Sequence, residues 1–197
     1  QVFCGCEYSL AARLSQMQKA ELRQWIKGLK TARSAQWIKE KSNETCSRLM
    51  SDGLWRAAGT VLLYHPLPDE VDTSLLLDNA LQTGKRVLLP KVVGDDLELR
   101  IYTPGSLQPG AYNIMEPTGE VFLPESYPSI DLAVIPGVAF DRHGVRLGRG
   151  KGYYDRLLPL LPNDYQIGIC FPFQLLEHLP SEPHDVLMNE VVCGTER

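Results

Sequence analysis

The 197-residue sequence lacks several features that would assign a protein class directly. It contains no run of ~20 apolar residues, the length that a membrane-spanning helix needs, and its first residues have no basic start or long apolar stretch typical of a signal peptide. The five cysteines are odd in number and irregularly spaced, and Cys4 and Cys6 have no second ligand pair for zinc. We therefore expect a cytoplasmic protein with reduced thiols and no membrane partner.

The common catalytic and nucleotide-binding fingerprints are also missing. There is no G-x-S-x-G nucleophile motif and no cysteine–histidine pairing. A Walker A loop ending at Lys151 would need Gly and Ser or Thr where the chain has Val145 and Gly152. A G-x-G-x-x-G motif beginning at Gly148 fails at Tyr153. The sequence thus disfavours a covalent serine or cysteine mechanism, an ordinary P-loop and a dinucleotide fingerprint.

The net charge of −4 conceals an uneven distribution of cations. Fifteen of the 20 Lys and Arg residues lie in two segments, 13–56 and 141–156, whereas the other 137 residues carry five basic and eighteen acidic side chains. This clustering indicates a local anionic ligand rather than a general affinity for polyanions. A nucleic-acid-binding module remains an alternative, although the acidic remainder of the chain argues against it.

Composition and periodicity indicate one globular α/β domain. The chain is 44% hydrophobic and 22% charged, which is ordinary for a folded domain. Apolar spacing predicts helices over residues 14–30, 35–50, 74–82 and 153–161. Apolar and alternating runs predict strands over 60–64, 87–89, 97–102, 132–135, 166–170 and 191–193. The alternation of strands with helices predicts a layered α/β sandwich, with a mainly parallel sheet flanked by helices.

The segments between these elements carry three further predictions. Pro90 is expected to end the second strand. Residues 103–129, rich in Pro and Gly, are expected to form a long irregular connection, and residues 136–152 a loop. We interpret residues 1–18 as an unstructured N-terminal extension and residues 19–197 as a single domain.

The first predicted helix has an apolar face and a basic face. The apolar stripe contains Leu22, Trp25, Ile26 and Leu29. The basic stripe contains Lys19, Arg23, Lys27 and Lys30. A basic stripe is most often a solvated surface, so the pattern alone does not establish a binding site.

The densest chemical signal is the glycine-rich basic stretch of residues 136–156. Four glycines let the backbone turn tightly and approach a ligand, namely Gly144, Gly148, Gly150 and Gly152. Arg146, Arg149 and Lys151 add cationic donors, and the start of the next helix adds a partial positive charge. These are the components of a polyphosphate cradle; a flexible, solvated loop is the alternative.

The motif PGVAFD followed by RLGRGKGYYDR resembles the signature of the 5-formyltetrahydrofolate cyclo-ligase family, also called 5,10-methenyltetrahydrofolate synthetases. The similarity extends from about Lys19 to Val192 and includes the motifs KAELR (19–23), PDEVDT (68–73), YNIMEP (112–117) and PHD (183–185). The resemblance implies a ligase that forms a C–N bond. It would convert 5-formyltetrahydrofolate to 5,10-methenyltetrahydrofolate with ATP, through a phosphorylated formyl intermediate, releasing ADP and phosphate.

The resemblance also implies roles for individual residues. ATP contacts are implied at Lys19, Arg23, Arg146, Leu147, Gly148, Arg149, Gly150, Lys151, Gly152, Tyr153 and Tyr154. Substrate contacts are implied at Glu70, Tyr112, Arg149, Gly150, Lys151, Gly152 and Tyr153. Mg²⁺ ligands are implied at Asp155 and Asp185. Arg149 and Lys151 are expected to be catalytic, because they can stabilise the charge of the transferred phosphoryl group, while Lys27 and Lys30 are expected to stay solvated.

The resemblance implies small-molecule partners only, a reduced folate and ATP with Mg²⁺, and a monomer that binds neither nucleic acid nor membrane. Two alternatives remain open. A sugar-phosphate isomerase or related binding protein would hold a single phosphate without ATP, and a cyclo-ligase-like regulator would lack activity. The presence of Lys19, Arg149, Asp155 and Asp185 argues against the inactive regulator.

Overall fold

The computed structural model describes residues 17–110, 115–162 and 165–195. The predicted start of the first helix, most of the proposed N-terminal extension, and Cys4 and Cys6 lie outside the described residues. No helix within these ranges combines the length and the apolar character needed to cross a bilayer.

Helices predominate in the first part of the described chain, and strands predominate after residue 85. The α-helices are α1 (Lys19–Thr31), α2 (Ala35–Ser51), α3 (Gly53–Ala57), α4 (Ser74–Gln82) and α5 (Tyr153–Leu157). The strands are β1 (Thr60–Leu62), β2 (Arg86–Val93), β3 (Asp96–Ile101), β4 (Leu107–Pro109), β5 (Met115–Pro117), β6 (Leu132–Ile135), β7 (Ala139–Asp141), β8 (Arg146–Leu147), β9 (Gln166–Cys170), β10 (Leu175–Leu176) and β11 (Glu190–Cys193).

A six-stranded sheet forms the centre of the fold, in the order β11-β9-β6-β1-β2-β3. Every neighbouring pair is parallel except β2 and β3, which form an antiparallel hairpin. Val61 of β1 lies between Val87 of β2 and Leu132 of β6, so the centre of the sheet is apolar. The predicted α/β fold with a mainly parallel sheet is confirmed.

The prediction that Pro90 ends the second strand is wrong. β2 continues to Val93, and Pro90 pairs in register with Leu99 of β3. A proline is tolerated there because β1 accompanies β2 only as far as Leu88, so the missing N–H falls where the ladder with β1 has ended.

Two of the connections hold more structure than predicted, and one helix is shorter than predicted. Residues 103–129 contain the β4–β5 hairpin and a 3-10 helix, and residues 136–152 contain β7 and β8. The helix predicted over 153–161 is α-helical only to Leu157 and continues as a 3-10 turn. Pro159 explains this change, since it has no N–H to give the α-helical hydrogen bond.

Helices and loops cover both faces of the central sheet. Trp55 of α3 and Leu76 of α4 pack with Val61 and Val134 in one core cluster. On the other face, Leu157 and neighbouring side chains pack with a second cluster. A third cluster joins α1 to a small sheet of β10, β7 and β8, which places the first helix beside the glycine-rich stretch.

Asp141 holds the end of β7 in place from a fully buried position. Its Oδ1 accepts hydrogen bonds from the backbone N–H groups of His143 and Val145, both at 2.9 Å. Its Oδ2 accepts one from the N–H of Leu179, also at 2.9 Å. The carboxylate therefore fixes the turn that leads into the glycine-rich stretch.

We predict that Asp141→Ala lowers the free energy of unfolding by about 3 kcal/mol, because it leaves three N–H groups without an acceptor, two of them buried. Glu177→Gln is the control: Glu177 forms an exposed ion pair with Arg142, so its loss should cost less than about 0.5 kcal/mol. Urea unfolding followed by circular dichroism measures both. Equal effects of the two substitutions would contradict the role assigned to Asp141.

Candidate functional site

The first helix and the glycine-rich segment, residues 144–152, form one side of the site. Leu22 and Ile26 of α1 are buried against Val145 and Leu147. The Nε of Arg23 donates a hydrogen bond to the carbonyl of Gly148 at 2.8 Å. The two basic regions of the sequence are therefore neighbours in space, as a two-sided anion site requires.

Backbone geometry explains two of the glycines. Gly144 has φ +85°, and a Cβ there would lie 2.2 Å from the carbonyl oxygen of Met188. Gly150 has φ +89°, a left-handed backbone conformation that residues with a side chain rarely adopt. A larger residue at either position would be strained and would move the segment. α5 has only five residues, so the helix dipole expected at its start is weak.

Lys19 begins α1 and lies between two acids from the C-terminal part of the chain. Its Nζ is 3.0 Å from Oε1 of Glu182 and 3.5 Å from Oδ2 of Asp185. Burial acts to lower the pKa of Lys19, but these two carboxylates outweigh burial and hold the pKa above its usual value. Lys19 is thus a permanent cation beside a proposed metal ligand.

Arg146 belongs to the glycine-rich segment, and its side chain is only 5% exposed. Its Nη2 is 2.5 Å from Oδ1 of Asp155, its Nη1 donates to the carbonyl of Pro136, and its guanidinium stacks on Tyr154 at 5.4 Å. Burial lowers the pKa of Arg146, and the charge of Asp155 opposes this shift. These contacts fix the direction of its positive charge.

Arg149 joins the glycine-rich segment to the turn that follows β1. It forms ion pairs with Asp69 and with Glu70, whose Oε1 is 3.2 Å from Nε and 3.1 Å from Nη2 of Arg149. The other oxygen of Glu70, Oε2, accepts a hydrogen bond from the backbone N–H of Leu67 at 3.0 Å. Arg149 and Glu70 lie in the wall between two concave surfaces, because both residues line each of them.

The first of these surfaces, which we call the cavity, has a volume of about 370 Å³. Its walls come from the glycine-rich segment, the stretch after β1, the β2–β3 hairpin and β5. The apolar and aromatic side chains that line it include Tyr64, Leu67, Pro90, Val92, Leu97, Met115, Tyr153 and Tyr154. Glu70 and Glu116 supply carboxylates. A cavity of this size and lining suits a flat heterocycle with a few N–H donors.

The second surface, which we call the groove, lies on the other side of Arg149 and has a volume of about 1090 Å³. α1, α2 and their connection contribute the cations Arg23, Lys27, Lys30, Arg33 and Lys39. Asp69, Glu70 and Asp72 line its far wall. Its cationic side suits an extended anion.

Lys30 corrects one of the sequence predictions, because it is not simply solvated. Its Nζ donates to the carbonyl of Pro68 at 2.6 Å. Burial, aided by the positive charge of Arg149 and opposed by Glu70, lowers the pKa of Lys30 to about 8. Lys27, by contrast, is exposed as expected.

The two predicted Mg²⁺ ligands both lie close enough to Arg146 for their charges to act on it. Asp155 is 58% exposed and pairs with Arg146, while Asp185 accepts from Lys19 and from the backbone N–H of Glu182. In the described parts of the chain, no group of three or more His, Cys, Asp or Glu side chains could hold a metal by itself. Two carboxylates still fit Mg²⁺, which commonly completes its shell with phosphate oxygens and water.

The remaining residues predicted to bind ATP or substrate differ in their positions. Lys151, Gly152 and Tyr153 line the cavity. The side chain of Leu147 is buried under α1, so only its backbone is available for the predicted ATP contact. Tyr112 lies outside the described residues.

Sequence reasoning missed most of the cavity walls. Pro90, Val92 and Leu97 line the cavity, although they are distant from the glycine-rich segment in sequence. Only Glu116 carried a usable signal, since it is a lone acid between apolar neighbours in the YNIMEP motif. The other wall residues can be recognised as part of the cavity only from the folded structure, in which the β2–β3 hairpin lies beside the glycine-rich segment.

Comparison with known proteins matches residues 15–194 to the 5-formyltetrahydrofolate cyclo-ligase family. A 5-formyltetrahydrofolate cyclo-ligase of Mycolicibacterium smegmatis is 33% identical over 91% of this chain and 95% of its own. The solution structure of the Aquifex aeolicus 5,10-methenyltetrahydrofolate synthetase is 37% identical, with a TM-score of 0.78 over 89% of both chains. The 5,10-methenyltetrahydrofolate synthetase of Mycoplasma pneumoniae gives a TM-score of 0.71 at 26% identity, over 90% of this chain and 99% of that one.

We predict that Lys30 is an unusually reactive amine. Below pH 8 it is protonated and unreactive, and above pH 8 the neutral amine reacts, so labelling with acetic anhydride should reach half its maximum near pH 8. Peptide mass spectrometry measures the labelling. Lys39, an exposed lysine of the same groove, is the internal comparison and should react more slowly at pH 8.

Arg149→Ala tests the cause of the shift. It removes a neighbouring positive charge and frees Glu70, and both changes favour protonated Lys30. The labelling curve of Lys30 should therefore move to higher pH in this variant. A wild-type curve centred well above pH 8, or one that Arg149→Ala does not move, would contradict this account.

Proposed function

The chain belongs to the 5-formyltetrahydrofolate cyclo-ligase family, and we propose that it cyclises 5-formyltetrahydrofolate to 5,10-methenyltetrahydrofolate with ATP, releasing ADP and phosphate. The observation that carries this proposal is the position of Arg149. Its guanidinium lies in the wall shared by an apolar cavity and a cationic groove. One side chain is thus within reach of a folate held in the cavity and of a phosphate chain held beside it.

We assign the ring system of the reduced folate to the cavity, because its walls are apolar and its acids can accept N–H groups. We assign the triphosphate to the glycine-rich segment together with Lys19 and Arg23 of α1. The support for this second assignment is the contact of Arg23 with Gly148, which directs α1 towards the segment. Backbone N–H groups and cationic side chains together suit phosphate oxygens.

The proposed chemistry solves the problem that a formamide oxygen is a poor leaving group. The formyl oxygen attacks the γ-phosphorus of ATP, the bond from that phosphorus to the ADP oxygen breaks, and a phosphorylated formyl intermediate forms. N10 then attacks the formyl carbon and loses its proton, and the C–O bond breaks as phosphate leaves. The work of the protein is to position the reactants and to neutralise charge.

Each charged residue of the site has its own proposed role in positioning or charge neutralisation. Arg149 and Lys151 are proposed to contact the transferring phosphoryl group, with Arg146 held beneath it by Asp155. Asp155 and Asp185 would hold Mg²⁺, which supplies charge neutralisation to phosphate oxygens when bound. Lys19 keeps Asp185 oriented, since its Nζ and the N–H of Glu182 both contact Oδ2.

The proposal is tested by mixing the protein with 5-formyltetrahydrofolate and Mg-ATP and following the methenyl product by absorbance. Product should appear with ATP, in equal amount to ADP, and should not appear when ATP is omitted. Product formation without ATP, or ATP hydrolysis without methenyl product, would overturn the proposed reaction.

We predict that Arg149→Ala lowers the turnover number at saturating ATP by about 10²–10³, the range typical of losing one preorganised charge-stabilising donor. Arg142→Ala is the matched control, because Arg142 is 65% exposed, pairs with Glu177 and does not line the cavity. It should keep wild-type turnover. The assignment fails if Arg149→Ala also turns over at the wild-type rate.

A further inference from the structure

Glu116 is a buried acid in the cavity wall whose carboxylate is incompletely satisfied. It lies in the middle of β5 and is only 7% exposed. Its Oε1 is shielded from solvent and has no hydrogen-bond partner among the residues that the structure describes. Buried polar atoms of folded proteins almost always have a partner, and leaving one unpaired destabilises the fold. An unpaired buried carboxylate at a ligand cavity therefore indicates an acceptor that a ligand completes.

The backbone holds this carboxylate in its place. A Cβ built on Gly110 would lie 2.2 Å from both Cδ and Oε2 of Glu116, so the side chain packs directly on a glycine of the paired strand region. β4 and β5 form a hairpin in which Gln108 pairs with Glu116, which fixes the strand that carries the acid. Glu116 is thus packed against Gly110 on a strand whose position the hairpin fixes.

Glu70, a second acid of the cavity, is already engaged with the protein. Its Oε1 accepts from Arg149, and its Oε2 accepts from the backbone N–H of Leu67. Its carboxylate therefore acts to orient Arg149 and the turn after β1. Asp155, the third acid of the cavity wall, pairs with Arg146. Glu116 is therefore the acid with a shielded oxygen left for a ligand.

We propose that Glu116 recognises the pterin end of the substrate, by accepting hydrogen bonds from the adjacent ring N–H and 2-amino group of the reduced pterin. The proposal rests on the proposed function, since it assumes that a reduced folate occupies the cavity. A carboxylate has two oxygens and matches two neighbouring N–H donors, while the apolar side chains around it exclude competing water. Glu70 then serves to position Arg149, and Glu116 orients the ring that carries the formyl group.

The first test compares Glu116→Met, which removes the acceptor at similar volume, with Glu120→Gln, which removes a charge from an exposed position beyond the same hairpin. Glu116→Met should weaken binding of 5-formyltetrahydrofolate roughly 10- to 100-fold, the range for a hydrogen bond to a charged group. Its affinity for ATP should be unchanged, and its melting temperature should be equal to the wild type or higher. Glu120→Gln should match the wild type throughout.

The melting temperature of Glu116→Met distinguishes a role of Glu116 in substrate recognition from a purely structural role. A structural acid would lower the melting temperature and the affinity for both ligands when it is replaced. An unsatisfied recognition group costs stability in the free protein, so its removal weakens only folate binding. A lower melting temperature together with weaker ATP binding in Glu116→Met would therefore overturn the proposal.

The second test uses an analogue of 5-formyltetrahydrofolate in which a methyl group replaces the 2-amino group. The wild type should bind the analogue at least about 10-fold more weakly than the natural compound, whereas Glu116→Met should bind the two equally. If the wild type binds 5-formyltetrahydrofolate and Glu116→Met binds it equally well, the role of Glu116 is wrong and the proposed function stands. If the wild type binds no 5-formyltetrahydrofolate, both fail.

Discussion

The packing of α1 on the small sheet is the contact on which the site depends. Leu22 and Ile26 are buried against Val145 and Leu147, at the beginning of the glycine-rich segment. This apolar contact carries Lys19 and Arg23 to the segment, although they lie more than a hundred residues away in sequence. Hydrophobic burial thus offsets the repulsion between two groups of cations, which would otherwise keep the two regions apart.

Acidic side chains form ion pairs with the cations of the site. Asp155 neutralises Arg146, Asp185 and Glu182 neutralise Lys19, and Asp69 and Glu70 neutralise Arg149. Because each cation is paired before any ligand binds, the site has a fixed geometry without a large excess of positive charge. The pair of Arg149 and Glu70 lies at the boundary between the cavity and the groove, because both residues line each surface.

The prediction of the fold succeeded where local pattern and burial agree. The apolar runs at 60–64, 132–135 and 166–170 became parallel strands because both faces of the central sheet are covered. Prediction failed where a distant neighbour decides the outcome. Pro90 is tolerated inside β2 only because β1 ends early, and the strand at Ala139–Asp141 forms only because β8 and β10 pair with it.

The sequence by itself determined the α/β architecture, the family, and the polar groups of the site, because the glycine-rich segment concentrates them in one continuous stretch. Tertiary structure decided how those groups are paired. Only the folded chain places Lys30 beside Arg149 and pairs Glu70 with Arg149 and Leu67. It also leaves an oxygen of Glu116 without a partner within the described ranges. Pairing and desolvation depend on atoms that are distant along the chain, and a linear pattern of residue types carries no record of them.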